Sequence, residues 1–65
     1  MEERMLKWFA FDHSPPNLKE VSESFATVAQ WIAGEIEPGP ERTVALRKLL
    51  EAKDAAVRAR LHPGG

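Results

Sequence analysis

The sequence predicts an all-α fold, a two-helix antiparallel hairpin with a short aromatic N-terminal arm, assembled as a symmetric homo-oligomer. Three observations predict it. Apolar residues recur at helical spacing through both halves of the chain. Between the halves, Glu37-Pro38-Gly39-Pro40 interrupts any helix. Sixty-five residues without cysteine form one domain with a thin core, because a chain this short hides only about 60% of its unfolded surface.

Residues 1–13 form the arm. Lys7-Trp8-Phe9-Ala10-Phe11 places three aromatics within four positions. In an extended strand Trp8 and Ala10 would point one way, and Phe9 and Phe11 the other. Such an arm could cap the open end of the hairpin. Alternatively, Phe11 could offer its ring to a planar ligand.

The first helix is expected over residues 14–37. Ser14 suits the N-cap and Pro15 the first helical position, where no amide hydrogen is needed. Leu18, Val21, Phe25, Val28 and Ile32 then alternate spacings of three and four, with Ile36 four further on and Ala29 widening the stripe. That seven-residue repeat favours left-handed helix packing. Ser22, Glu23, Lys19, Glu20, Thr27 and Gln30 occupy the remaining surface, and Trp31 lies off the seam. The stiff turn that follows favours an antiparallel connection.

The second helix is expected over residues 41–61, with His62-Pro63-Gly64-Gly65 as a tail. Leu46, Leu50, Val57 and Leu61 form one stripe, and Ala45, Leu49, Ala52 and Ala56 a second. Charge is concentrated on Arg47, Glu51, Asp54 and Arg58. A helix apolar on more than one side needs more than one partner. The hairpin supplies one, so further copies of the chain are expected to supply the rest.

Function is constrained more by exclusion than by motif. Net charge is −1, divided into −4 over residues 1–40 and +3 over residues 41–65. That polarity is too weak for duplex nucleic acid. The chain contains no 18-residue apolar run to span a bilayer and no signal-peptide pattern. With two histidines and no cysteine, neither a metal site nor any other cofactor is expected. No nucleophile stands with a histidine and an orienting acid, and no glycine-rich phosphate loop is present, so an enzyme is not expected. Glu51 and Asp54 read more simply as helical ion-pair partners of Arg47 and Arg58 than as catalytic carboxylates.

Binding is better supported. The second helix opens on Glu41-Arg42-Thr43, where backbone amides and the positive dipole end favour an anion. Arg47, Lys48, Lys53 and Arg58 follow on the same helix. The candidate ligand-binding residues are therefore Phe11, Arg42, Thr43, Arg47, Lys53 and Arg58. The arginines would hold phosphates, Thr43 an edge, and Phe11 a base. The alternative is a small oligomeric interaction or adaptor protein of antitoxin-like type, whose arginines only bridge subunits.

The string Glu41-Arg42-Thr43-Val44-Ala45-Leu46-Arg47-Lys48-Leu49-Leu50-Glu51-Ala52-Lys53-Asp54-Ala55-Ala56-Val57-Arg58-Ala59, with the arm Trp8-Phe9-Ala10-Phe11-Asp12-His13 ahead of Pro15-Pro16, resembles small bacteriophage helical-hairpin proteins. These are related to the anti-CBASS and anti-Thoeris sponges. The resemblance implies a compact helical oligomer, notably a hexamer, that sequesters cyclic di- or trinucleotide immune signals between subunits without cleaving them. It also implies action in the cytoplasm of an infected bacterium. Phe11 corresponds to the family's stacking aromatic, and Arg47 lies near its second-helix arginine. The basic residue that characterised sponges carry midway along the first helix has no counterpart, since Ala26 and Thr27 stand there.

Overall fold

A computed structural model describes residues 4–10 and 15–64. The described residues form three elements: a 3-10 helix over Arg4–Phe9, α1 over Pro16–Glu35 and α2 over Pro40–Leu61. The two long helices pack against each other, and the 3-10 helix lies against both.

Helix boundaries follow from proline chemistry. α1 starts at Pro16, later than the Ser14–Pro15 expectation, and Pro15 takes the cap position with extended backbone. The Pro15 carbonyl accepts the first helical bonds, from the amides of Leu18 at 3.0 Å and Lys19 at 2.7 Å. Two successive prolines suit this place because the first-turn amides they lack have no intrahelical partner. Ser14, the expected cap, lies outside the described residues, as do Phe11 and His13. α1 ends at Glu35, and the turn to α2 passes through extended Ile36. α2 begins on Pro40, and Glu41 in its first turn and Arg58 and Arg60 in its last complement the helix dipole.

The arm departs from expectation. Its described part holds a 3-10 helix over Arg4–Phe9 and not an extended strand. Phe9 is 1% exposed and packs with Ala26, Ala29 and Leu46 as the fully buried apolar core. Met5, Leu6, Phe25, Ile32, Leu49 and Leu50 border that core half-buried. Trp8 stays exposed, with the Lys7 ammonium 5.1 Å from its ring centre. The arm thus covers the groove between the helices instead of capping one end.

α1 is also turned relative to the expected seam. Its buried residues are Ser22, Ala26 and Ala29, with Ala33 half-buried. They repeat at four, three and four, like the large residues beside them. Each follows a residue of the Val21–Phe25–Val28–Ile32 stripe by one position, so at 100° per residue the two stripes lie about 100° apart. Val28 is consequently exposed, and Trp31, 61% exposed, points away from α2; Ile36, past the end of α1, is exposed as well. Small residues on the contact face let the backbones approach, and the space they leave accepts Phe9.

α2 is less apolar in place than its sequence suggests. Leu46 is buried and Leu49, Leu50 and Val57 are half-buried, but Lys53 takes the seam position between Leu50 and Val57. Its aliphatic stem lies along the seam while the ammonium reaches the Asp54 carboxylate, 3.0 Å away. Ala52, Val44 and Leu61 face outward.

Phe9→Ala should remove about 3–5 kcal/mol, a large share of what a small domain has. Trp8→Ala should change stability by about 0.5 kcal/mol or less. Urea denaturation followed by circular dichroism compares the two, and equal losses would refute the assignment of Phe9 as the core aromatic.

Candidate functional site

The six candidate residues fall in separate places. Phe11 lies outside the described residues. Arg42 and Thr43 sit at the turn between the helices. Arg47 is exposed on the outer side of α2, and Lys53 and Arg58 lie toward the other end of that helix. Sixteen residues separate Arg42 from Arg58, about 24 Å along the helix axis. One copy cannot bring both to a single phosphate.

At the turn, Arg42 is engaged with the chain itself. One guanidinium nitrogen donates to the carbonyls of Ala33 at 3.1 Å and Ile36 at 2.8 Å. Ala33 carries one of the last carbonyls of α1, which have no intrahelical donor, and Ile36 is the residue that caps the helix. The Thr43 hydroxyl donates to the Gly39 carbonyl at 3.2 Å, alongside the Thr43 amide at 3.1 Å. Arg42 therefore ties the start of α2 to the end of α1, while Thr43 closes the first turn of α2.

A matching contact exists at the opposite end. Arg60 donates to the Asn17 carbonyl at 3.2 Å and lies 3.9 Å from the Glu20 carboxylate. Arg42 and Arg60 are eighteen residues apart, which is five full turns, so they share one stripe of α2. Each holds one end of α1. Sequence reading passed over Arg60, although this spacing is visible in the chain.

A cleft of about 300 Å³ opens near this second end. Leu18, Val57 and Ala10 supply its apolar lining, and Lys53, Asp54, Arg58 and the Ser22 side chain its polar lining. Among the described residues, α1, α2 and the residue after the 3-10 helix contribute. The Lys53 side chain is 15% exposed, and its ammonium lies 3.0 Å from the Asp54 carboxylate. Ser22 is 5% exposed and the one buried polar residue among those described. It was assigned to the outer surface from its polarity, whereas its spacing with Ala26, Ala29 and Ala33 marks the contact face.

The carboxylates of α2 choose different partners from those expected. Glu51 lies 3.8 Å from Lys48 and Asp54 lies 3.0 Å from Lys53, so lysines take the places expected for Arg47 and Arg58. The Lys48–Glu51 pair is exposed at both ends and contributes little to stability. The Lys53–Asp54 pair, with its lysine largely buried, sets the local charge of the cleft. The arrangement suits an anion bearing an apolar or aromatic body: two cations, a hydroxyl and an apolar wall in one recess. Among the described residues no group of three His, Asp or Glu side chains is placed to hold a metal ion, and no helix is long and apolar enough to cross a membrane.

No protein-family model, curated protein or solved structure matches the chain.

Arg42→Ala should lower unfolding free energy by about 1–3 kcal/mol, because the Ala33 and Ile36 carbonyls lose this donor. Arg47→Ala, on the open face, should change it by about 0.5 kcal/mol or less. Parallel urea titrations check this, and a neutral Arg42→Ala would show that the guanidinium contributes nothing as a cap.

Proposed function

We propose that this antiparallel hairpin is a binding protein of the bacteriophage anti-defence type, capturing cyclic oligonucleotide second messengers without cleaving them, at sites shared between copies. The observation that carries the reading is the cleft, where Lys53 and Arg58 stand over an apolar wall with Ser22 and Ala10. Ala10 is followed in the chain by Phe11, the residue proposed to stack on a base. Arg lends a planar, two-pronged donor to phosphate and Lys a point charge.

Two further features support assembly as part of the function. Only four apolar side chains are fully buried among the described residues, while Trp8, Val28, Trp31, Ile36, Val44 and Leu61 remain exposed. The described chain measures 37 × 23 × 15 Å, and its least dimension is little more than one helix diameter with side chains. Such a slab leaves apolar surface for a neighbouring copy to cover. The separation of Arg47 from Arg58 also becomes useful once two copies meet, since one copy's Arg47 can face another's cleft. The resemblance to phage sponges gives a hexamer as the expected assembly and the infected bacterial cytoplasm as its place of action.

The second reading, an oligomeric adaptor with no small ligand, is favoured by one observation. Arg42 and Thr43, two of the six candidate residues, are bonded to carbonyls of their own chain. Thermal unfolding with a panel of cyclic di- and trinucleotides separates the readings. A ligand at a hundred times its dissociation constant should stabilise the protein by about 2.7 kcal/mol. Arg47→Ala and Arg58→Ala should abolish that gain while the assembly keeps its elution volume on a sizing column. No stabilisation by any panel member, with the assembly intact, supports the adaptor. Recovery of cleaved nucleotide from the denatured complex would contradict capture without cleavage.

A further inference from the structure

We infer that the outward face of α1, carrying Trp31, docks against the outward face of α2 in a second copy of the chain, so that unlike faces pair. The inference rests on the reading of the protein as an assembly and names the two faces that meet. On α1, Glu20, Ser24, Thr27, Trp31 and Glu35 follow at spacings of four, three, four and four, and all are exposed. They form one stripe, with Val28 beside it at 46% exposure and Trp31 at 61%. The two hydroxyls add little cost to covering it. Ser24 Oγ donates to the Glu20 carbonyl at 3.2 Å and Thr27 Oγ1 to the Glu23 carbonyl at 3.1 Å, so each polar hydrogen is already used within the helix. The stripe presents an indole and short side chains between carboxylates. Lys19 is the one basic residue of α1 against Glu20, Glu23 and Glu35, a net charge of −2.

α2 offers the complement. Val44, Lys48, Glu51, Ala55 and Arg58 repeat at four, three, four and three, and all are exposed. The helix holds six basic and three acidic side chains, a net charge of +3. Two α1 faces brought together would oppose carboxylates, and two α2 faces would oppose cations. The unlike pair alone balances. Val44 gives the indole an apolar place to lie, and a lysine ammonium such as that of Lys48 suits the face of the ring. The register agrees. Within the hairpin, Arg42 bonds to Ala33 and Ile36, and Arg60 to Asn17. A neighbour that points the same way at the same level keeps that register. Trp31 then stands beside residues 44–48 of the second copy, and Glu20 beside Arg58. The tryptophan is the anchor of such a contact, while the rim charges orient the copies more than they hold them. Because the two faces differ, the interface is heterologous, and each copy uses both of its faces, as in a closed ring.

Sedimentation velocity on the full-length protein tests this with one variant for each face. Trp31→Ala impairs the α1 face, and the double variant Val44→Glu/Lys48→Glu the α2 face. All three positions are exposed, so both variants should keep the wild-type circular dichroism. Each alone should need a concentration about thirtyfold or more above that of wild type to assemble, the scale of one anchor residue. Mixed in equal amounts, they should form a one-to-one dimer and nothing larger, because each supplies the face the other lacks. Assembly of either variant alone at wild-type concentrations would overturn the inference and leave assembly and nucleotide capture standing. So would a mixture that stays monomeric. A monomeric wild type would overturn both the assembly reading and this inference.

Discussion

The structure depends on how Phe9 fills the space above a helix contact made of small residues. Ala26 and Ala29 bring α1 close to Leu46 of α2, and short side chains leave a groove that two helices cannot close by themselves. An aromatic ring from the arm closes it. Once Phe9 is seated, the position of the arm is fixed, and Ala10 becomes part of the wall of the cleft. The core and the candidate site thus share one cause. The same economy restricts the core: four fully buried apolar residues leave large side chains on the outside.

The helices and the turn between them were legible in the sequence because proline and glycine chemistry is local. Pro15-Pro16 and Pro38-Gly39-Pro40 set the helix starts within one or two residues. Rotation about the helix axes was less legible. Val21, Phe25, Val28 and Ile32 form the more hydrophobic stripe, but Ser22, Ala26, Ala29 and Ala33 run parallel to it at the same spacing. Hydrophobicity favours the first stripe and close backbone approach the second. Only the partner helix decides between them. The arm was less legible for a related reason: Phe9 inside and Trp8 outside suits an extended segment as well as a 3-10 turn, so the pattern alone does not choose between them.

The candidate site was partly legible. The cations of α2 were evident, but the partners of Arg42 and Arg60 were not, because those partners lie on α1 and the residue that caps it. Arg42 faces carbonyls supplied by Ala33 and Ile36, and Arg60 one supplied by Asn17. A single-helix view that pairs Asp54 with Arg58 four residues on overlooks Lys53, drawn close by the seam it occupies. Ser22 illustrates the same point in reverse, as a polar residue that packing places inside. Two arginines on one stripe of α2 hold α1 at its ends and leave Lys53 and Arg58 to the cleft between them and the arm. Structural and candidate binding cations are therefore divided along one helix by which way each faces.

We propose that one copy exposes more apolar surface than its fold can hide, and that neighbouring copies complete both the core and the cleft. Sedimentation velocity at low micromolar concentration tests it most directly. A single closed oligomer of defined subunit number is the predicted result, unchanged over about tenfold dilution. A folded, stable monomer across that range would contradict the claim.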